Sequence, residues 1–205
     1  MKKSVLVTLA IVVFCIVTYF VYKSPSNITN YPSAGTDIIA FGDSLVAGEG
    51  ASSVENNFVS RLSTMIGKPI INLGVSGNTT ADGLNRLSAL DNYKPKVVLL
   101  LLGGNDHLRK VPIETTFANL SKIIESIHSR GAVVVLLGVR GNLFIDQFDS
   151  EFEELRDKYH TAYVEDVLKG LFGSTKYMSD AIHPNDLGYE KIADRIYPVL
   201  LKALK

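Results

Sequence analysis

From residue 37 onward, apolar and polar positions fall into blocks that predict strand, loop and helix in turn. Asp37 to Phe41 is apolar after its first residue and reads as a strand, while Phe58, Leu62, Met65 and Ile66 recur on one helical face that Gly67 ends. Pro69 to Leu73 reads as a short second strand, and Thr80 to Leu90 as a helix with Leu84, Leu87 and Leu90 nearly in register. Val97 to Leu102 is six consecutive aliphatic residues, the pattern of a central parallel strand buried on both faces. Ile113, Phe117, Leu120, Ile123, Ile124 and Ile127 keep helical spacing up to Gly131; Val133 to Leu137 is another fully apolar strand. A helix over Phe148 to Tyr159, a short edge strand over Ala162 to Val164 and a helix over Asp186 to Leu204 complete the series. Alternating strands and helices imply a doubly wound parallel sheet. Sites in that architecture form beyond the carboxyl ends of the strands. The polar clusters GDS, GVSGNTT, GGNDH and GVRGN follow the first four strands, in those places.

The segment before residue 37 follows a different pattern. Met1-Lys2-Lys3 precedes an uncharged apolar run from Val5 to Tyr22, which as a helix spans roughly 27 Å, enough for a hydrocarbon core. A cleaved signal peptide has a shorter apolar region and small residues at its exit. Here the exit is Tyr19-Phe20-Val21-Tyr22-Lys23, which suits an interfacial aromatic belt. The expected organisation is a signal anchor over residues 1–23, a Ser-, Pro- and Asn-rich linker over 24–36 and one domain over 37–205. Lys2 and Lys3 place the N-terminus in the cytoplasm and the domain outside a bacterial inner membrane, with secretion after cleavage as the alternative.

Charge and cysteine content narrow the partner classes. The 21 basic and 21 acidic residues balance, and no basic stripe with interleaved aromatics points to nucleic acid. Cys15 is the only cysteine, so there is neither an intramolecular disulfide nor a cysteine metal cluster. No feature calls for a cofactor or sets an oligomeric state.

Each polar cluster has an ordinary structural reading when taken alone. Ser44 in FGDSLVAGEG can be a turn serine, GVSGNTT a capped helix start, and GGND a tight turn. Asp180-Ala181-Ile182-His183-Pro184-Asn185 is more informative, because an aspartate three residues before a histidine in a tight loop can reach one imidazole nitrogen and free the other as a base. His128 and His160 are expected to be solvated, and His107 to lie beside the Asn105 loop. Together the clusters supply a complete set for acyl transfer. Ser44 is the nucleophile, which needs a base within hydrogen-bond reach. His183 is that base and Asp180 its orienting acid. The N–H groups of Ser44 and Gly77 and the amide of Asn105 are oxyanion donors. Asp43, His107 and Leu108 are candidates for the substrate pocket.

These four blocks, GDSL at 42–45, SGNT at 76–79, GGND at 103–106 and DAIHPN at 180–185, resemble those of the GDSL, or SGNH, hydrolases. The similarity extends over roughly residues 37–204, and the GGNDHLR run is similar to that of the lysophospholipase L1, thioesterase I and arylesterase group. It implies a three-layer αβα, flavodoxin-like fold, a mobile nucleophile and hydrolysis of acyl esters through an acyl-serine. DAIH stands where the family often has DGIH, and His107 adds an imidazole beside the oxyanion donor.

Competing classes fit less well. Ser44 does not sit in G-x-S-x-G, which disfavours an α/β-hydrolase elbow. Gly48-Glu49-Gly50-Ala51-Ser52-Ser53 has no phosphate-binding lysine. A metal-dependent phosphoesterase would have to draw its ligands from Asp43, Asp106, His107, Asp180 and His183, without a close His pair. The expected substrates are small esters or lipids, with lysophospholipids and aryl, short-chain or thioesters first and carbohydrate O-acetyl esters as the alternative.

Overall fold

The computed structural model of the protein describes residues 28–139 and 146–205. The expected membrane span, Val5 to Tyr22, lies outside the described residues; among those described, no helix is long and apolar enough to cross a membrane. Five strands, β1 (Asp37–Gly42), β2 (Ile70–Gly74), β3 (Pro95–Leu101), β4 (Val133–Leu137) and β5 (Ala162–Val164), form one sheet in the order β2-β1-β3-β4-β5. Every pairing is parallel. This is the flavodoxin-like order, whose switch point lies between β1 and β3.

The aliphatic runs explain the layers. Successive side chains on a strand point to opposite faces. Ile38, Ala40, Val97, Leu99, Val133 and Val135 therefore face α2 (Phe58–Ile66) and α7 (Asp186–Leu204), packing on Phe58, Leu62, Tyr189, Ile192 and Ile196. The alternate set, Ile39, Phe41, Val98, Leu100, Val134 and Leu136, packs on Phe117, Leu120, Ile123 and Ile124 of α5 (Ile113–Ser129) and Phe148, Phe152 and Leu155 of α6 (Asp146–Tyr159). The result is three αβα layers with the sheet buried on both faces.

The structure departs from the sequence pattern in three places. Two one-turn helices, α1 (Ser44–Ala47) and α4 (Gly104–Leu108), sit directly on the ends of β1 and β3, too short to produce a periodicity. The helix expected over Thr80 to Leu90 stops as α3 (Thr80–Asn85), because Arg86 leaves helical geometry at φ −112°, ψ 18°; a 3₁₀ segment Leu87–Asn92 follows. His128 is not solvated as expected. The segment before β1 lies against this part of α5, the Nε2 of His128 is buried with no partner among the described residues, and burial pushes its pKa down.

Candidate active site

The Ser44 loop starts where β1 ends. Asp43 caps α1, its Oδ1 accepting the Leu45 N–H at 3.0 Å, and Ser44 is the first helical residue. A first-turn N–H has no acceptor inside the helix, and that of Ser44 has no partner among the described residues. Asp43 is almost fully buried, and loss of solvent raises its carboxyl to about 7.

The histidine loop is tied down from both sides. Asp180 Oδ1 accepts the N–H groups of Ile182 (2.8 Å) and His183 (2.7 Å), and its Oδ2 lies 2.8 Å from His183 Nδ1. Ser179 N–H donates to His183 O, and Asn185 caps α7 by accepting from Leu187 and Gly188. The hydrogen bond from His183 comes first among the causes that lower Asp180 to about 2. A carboxylate only accepts, so Nδ1 carries the proton and Nε2 is left as an acceptor. Nε2 lies 3.2 Å from Ser44 Oγ. That is within reach for proton transfer.

The two loops are held against each other. Tyr189 OH donates to Glu49 O at 2.6 Å, and Ser52 donates from its N–H and hydroxyl to Asp186 at 2.8 and 2.6 Å. Gly50 is at φ +89°, and a Cβ there would stand 2.5 Å from Pro184 O, so only glycine lets the Ser44 loop approach the histidine loop this closely.

The β2–α3 and β3–α4 connections complete the site. Gly77 takes φ +78°, and its N–H has no partner among the described residues. Thr79 caps α3 in a reciprocal box with Asp82. Asn105 Nδ2 donates to Asn78 O at 3.0 Å, which aims the amide and leaves its second N–H available. Buried Asp106 accepts the Thr80 N–H at 2.8 Å and its hydroxyl at 2.5 Å, clamping α4 to the start of α3. Arg86 stacks 3.9 Å above the Phe41 ring and donates to Gly42 O (2.7 Å) and Asn78 Oδ1 (2.6 Å), joining the first two connections. Arg109 donates to Gly77 O at 2.8 Å.

Of the residues expected in the site, Ser44, His183 and Asp180 form one hydrogen-bonded chain, and Asn105 lines the same groove as Ser44 and His183. Asp43 and Leu108 also line it; His107 packs edge-on against the buried Phe148, 5.4 Å between ring centres. Much of the apolar wall was not anticipated: Val139 after β4, Leu168 and Phe172 after β5, and Ile182 beside the histidine. Of these, only Ile182 lies inside a recognisable motif. Arg86 gave no signal because its partners are distant in sequence. Among the described residues, no three His, Cys, Asp or Glu side chains are grouped to hold a metal. The arrangement offers a hydroxyl next to an oriented base, open N–H donors and an apolar wall, which is the equipment of acyl transfer.

Comparison with known proteins points the same way. The chain is 31% identical to an arylesterase of Vibrio mimicus over 183 residues, covering 83% of this chain and 91% of the relative. It is 27% identical to the thioesterase 1/protease 1/lysophospholipase L1 of Escherichia coli K12, over 79% of this chain and 82% of that one. A crystal structure of TesA superposes with a TM-score of 0.77 at 29% identity, covering 82% of this chain and all of the other. The model of the GDSL-like Lipase/Acylhydrolase family matches residues 40–191, and the chain belongs to that family.

Proposed function

We propose that the protein is a serine esterase that hydrolyses acyl esters and thioesters through an acyl-Ser44 intermediate. The observation that carries this reading is the Asp180–His183–Ser44 chain opening on an apolar groove. As Ser44 Oγ attacks the ester carbonyl, its proton passes to His183 Nε2. The imidazolium is stabilised by Asp180, which stays ionised above about pH 2. Charge developing on the carbonyl oxygen is met by the N–H groups of Ser44 and Gly77 and the amide of Asn105. The intermediate collapses, the C–O or C–S bond breaks, and the leaving alcohol or thiol takes the proton from Nε2. Water then attacks the acyl-serine, giving its proton to His183, and the acid departs as Oγ is reprotonated. Leu45, Leu108, Val139, Leu168, Phe172 and Ile182 supply the apolar surface for the acyl chain.

The relatives named arylesterase and thioesterase 1/lysophospholipase L1 support ester and thioester substrates. The uncharged run from Val5 to Tyr22 and its bulky exit support a retained anchor that holds the domain on the outer side of the membrane. A panel of p-nitrophenyl esters from acetate to palmitate, an acyl thioester and lysophosphatidylcholine, assayed with and without EDTA, tests the activity. Turnover that is indifferent to EDTA is expected. Absence of turnover on every ester, or abolition by the chelator, contradicts the reading. Mass spectrometry of the membrane fraction tests the anchor; a mature N-terminus near Ser24 or Ser33 shows cleavage instead.

A further inference from the structure

The chain enters the domain at the end of the sheet opposite the site. Thr29 donates from its N–H to His160 O at 3.0 Å and from its hydroxyl to Tyr159 O at 2.9 Å. Asn30 Nδ2 donates to His128 O (2.8 Å) and Ala132 O (3.1 Å), and the Ser33 hydroxyl to Gly131 O (2.7 Å). All of these carbonyls end α5 and α6 or lead into β4 and β5, so the entering chain is fastened at the N-terminal edge of the sheet. From that edge, the six residues of β1 climb about 20 Å before Ser44 is reached.

The chain between the apolar run and this fastening is short. Only the five residues Lys23 to Asn27 lie between Tyr22 and Ile28, and even fully extended the six steps from one to the other reach about 21 Å. Turning the groove onto the bilayer would lift Ile28 above it by the height of the sheet plus the connections at both ends, which exceeds that reach. The tether alone excludes that pose, without any contact to lipid.

We propose that the anchored enzyme opens its groove to the aqueous space and acts on water-borne carboxylic esters and thioesters, not on acyl lipids of the bilayer that holds its own N-terminus. This rests on the reading of residues 5–22 as a retained anchor and of the Ser44 groove as an esterase site. A lysophospholipid arriving as a monomer or in a separate micelle remains a substrate. The same molecule embedded beside the anchor is out of reach.

The test uses the full chain, with Cys15→Ser and one new cysteine carrying a fluorophore, in phosphatidylcholine vesicles that contain a headgroup nitroxide lipid as quencher. Tyr31→Cys labels the fastened segment, Lys94→Cys replaces it if that variant does not fold, and Leu187→Cys labels the site end; all three positions are exposed. The label at 31 or 94 should lose most of its emission to the quencher and the label at 187 very little. In the same vesicles, p-nitrophenyl butyrate should be turned over as it is in detergent, while a non-exchanging fluorogenic acyl lipid in the host bilayer should be hydrolysed at least tenfold more slowly than in detergent micelles. Equal quenching at the two ends, or undiminished hydrolysis of the host lipid, overturns the proposal. Protein washed from the vesicles by alkaline carbonate overturns the anchor and the proposal with it. Failure on every ester in detergent identifies the esterase reading as the fault.

Discussion

The two ends of the sheet treat backbone polar groups in opposite ways. At the N-terminal edge, the carbonyls of His128, Gly131, Ala132, Tyr159 and His160 all accept from the segment that enters the domain, and Lys94 O accepts the N–H groups of Thr36 and Asp37. At the carboxyl edge, the N–H groups of Ser44 and Gly77 have no partner among the described residues, although the surrounding loops are cross-linked by Arg86 and Asp106 and the histidine loop is braced internally by Asp180. Backbone donors buried without a partner are rare because they lose hydrogen-bond energy, and Ser44 and Gly77 are only half-buried. Leaving two of them open in a clamped framework makes sense where a substrate oxygen completes them. On the proposed reading one edge serves stability and the other chemistry, so substitutions at the two edges should fail in different assays.

The largest effect is expected at the histidine. Asp180→Asn removes the acceptor that fixes the Nδ1–H tautomer and should lower kcat by about 10⁴ while the protein stays folded. A single-turnover assay with a p-nitrophenyl ester measures it, and near-wild-type turnover would break the comparison at its catalytic end. Asn105→Ala should cost on the order of 10²–10³ in kcat, with a much smaller change in KM, because the amide matters most as charge develops. An effect confined to KM would make Asn105 a substrate-binding group.

The next expected effect concerns stability and pH. The Asp43 carboxyl is raised to about 7 by burial, above its ordinary 3.8, so the folded state holds a proton that the unfolded state has lost. This contribution to stability is fully present below about pH 4 and is lost as pH rises through 7, up to a few kcal/mol. Asp43→Asn can still accept from Leu45 and carries no charge to bury. Its Tm should exceed that of wild type at pH 8 and approach it at pH 5, as calorimetry at the two values would show.

The smallest expected effect belongs to the other edge. Asn30→Ala removes two hydrogen bonds and puts alanine at φ +63°, together about 2 kcal/mol, or a fall in Tm of roughly 4–8 °C. Its kcat/KM should be unchanged below the transition. A comparable fall in activity would mean that the two edges are coupled.

The same contrast explains what could be read from the sequence. Long apolar runs such as Val97 to Leu102 and the spaced residues of Ile113–Ser129 announce their elements because burial on a fixed face imposes a period on the chain. Ser44, Gly77, Asn105 and His183 stood out because each lies in a compact block, and Asp180 lies three residues from its partner. The one-turn helices at Ser44–Ala47 and Gly104–Leu108 left no trace, because a single turn is too short to repeat a pattern. Arg86 reaches Gly42 O across 44 positions, and Val139, Leu168 and Phe172 meet only where two connections converge. The docking of Thr29, Asn30 and Ser33 was equally hidden. Their polar composition reads as a linker, while their partners are backbone carbonyls, which carry no sequence signature.

The central claim is that Ser44 is the one activated hydroxyl of the carboxyl edge. Treating the native protein with a fluorophosphonate and mapping the adduct by peptide mass spectrometry tests it most directly. A single adduct on Ser44, absent from Ser44→Ala and lost in parallel with ester turnover, is the predicted result. An adduct on any other serine, or full turnover by a protein whose Ser44 is quantitatively modified, would contradict it.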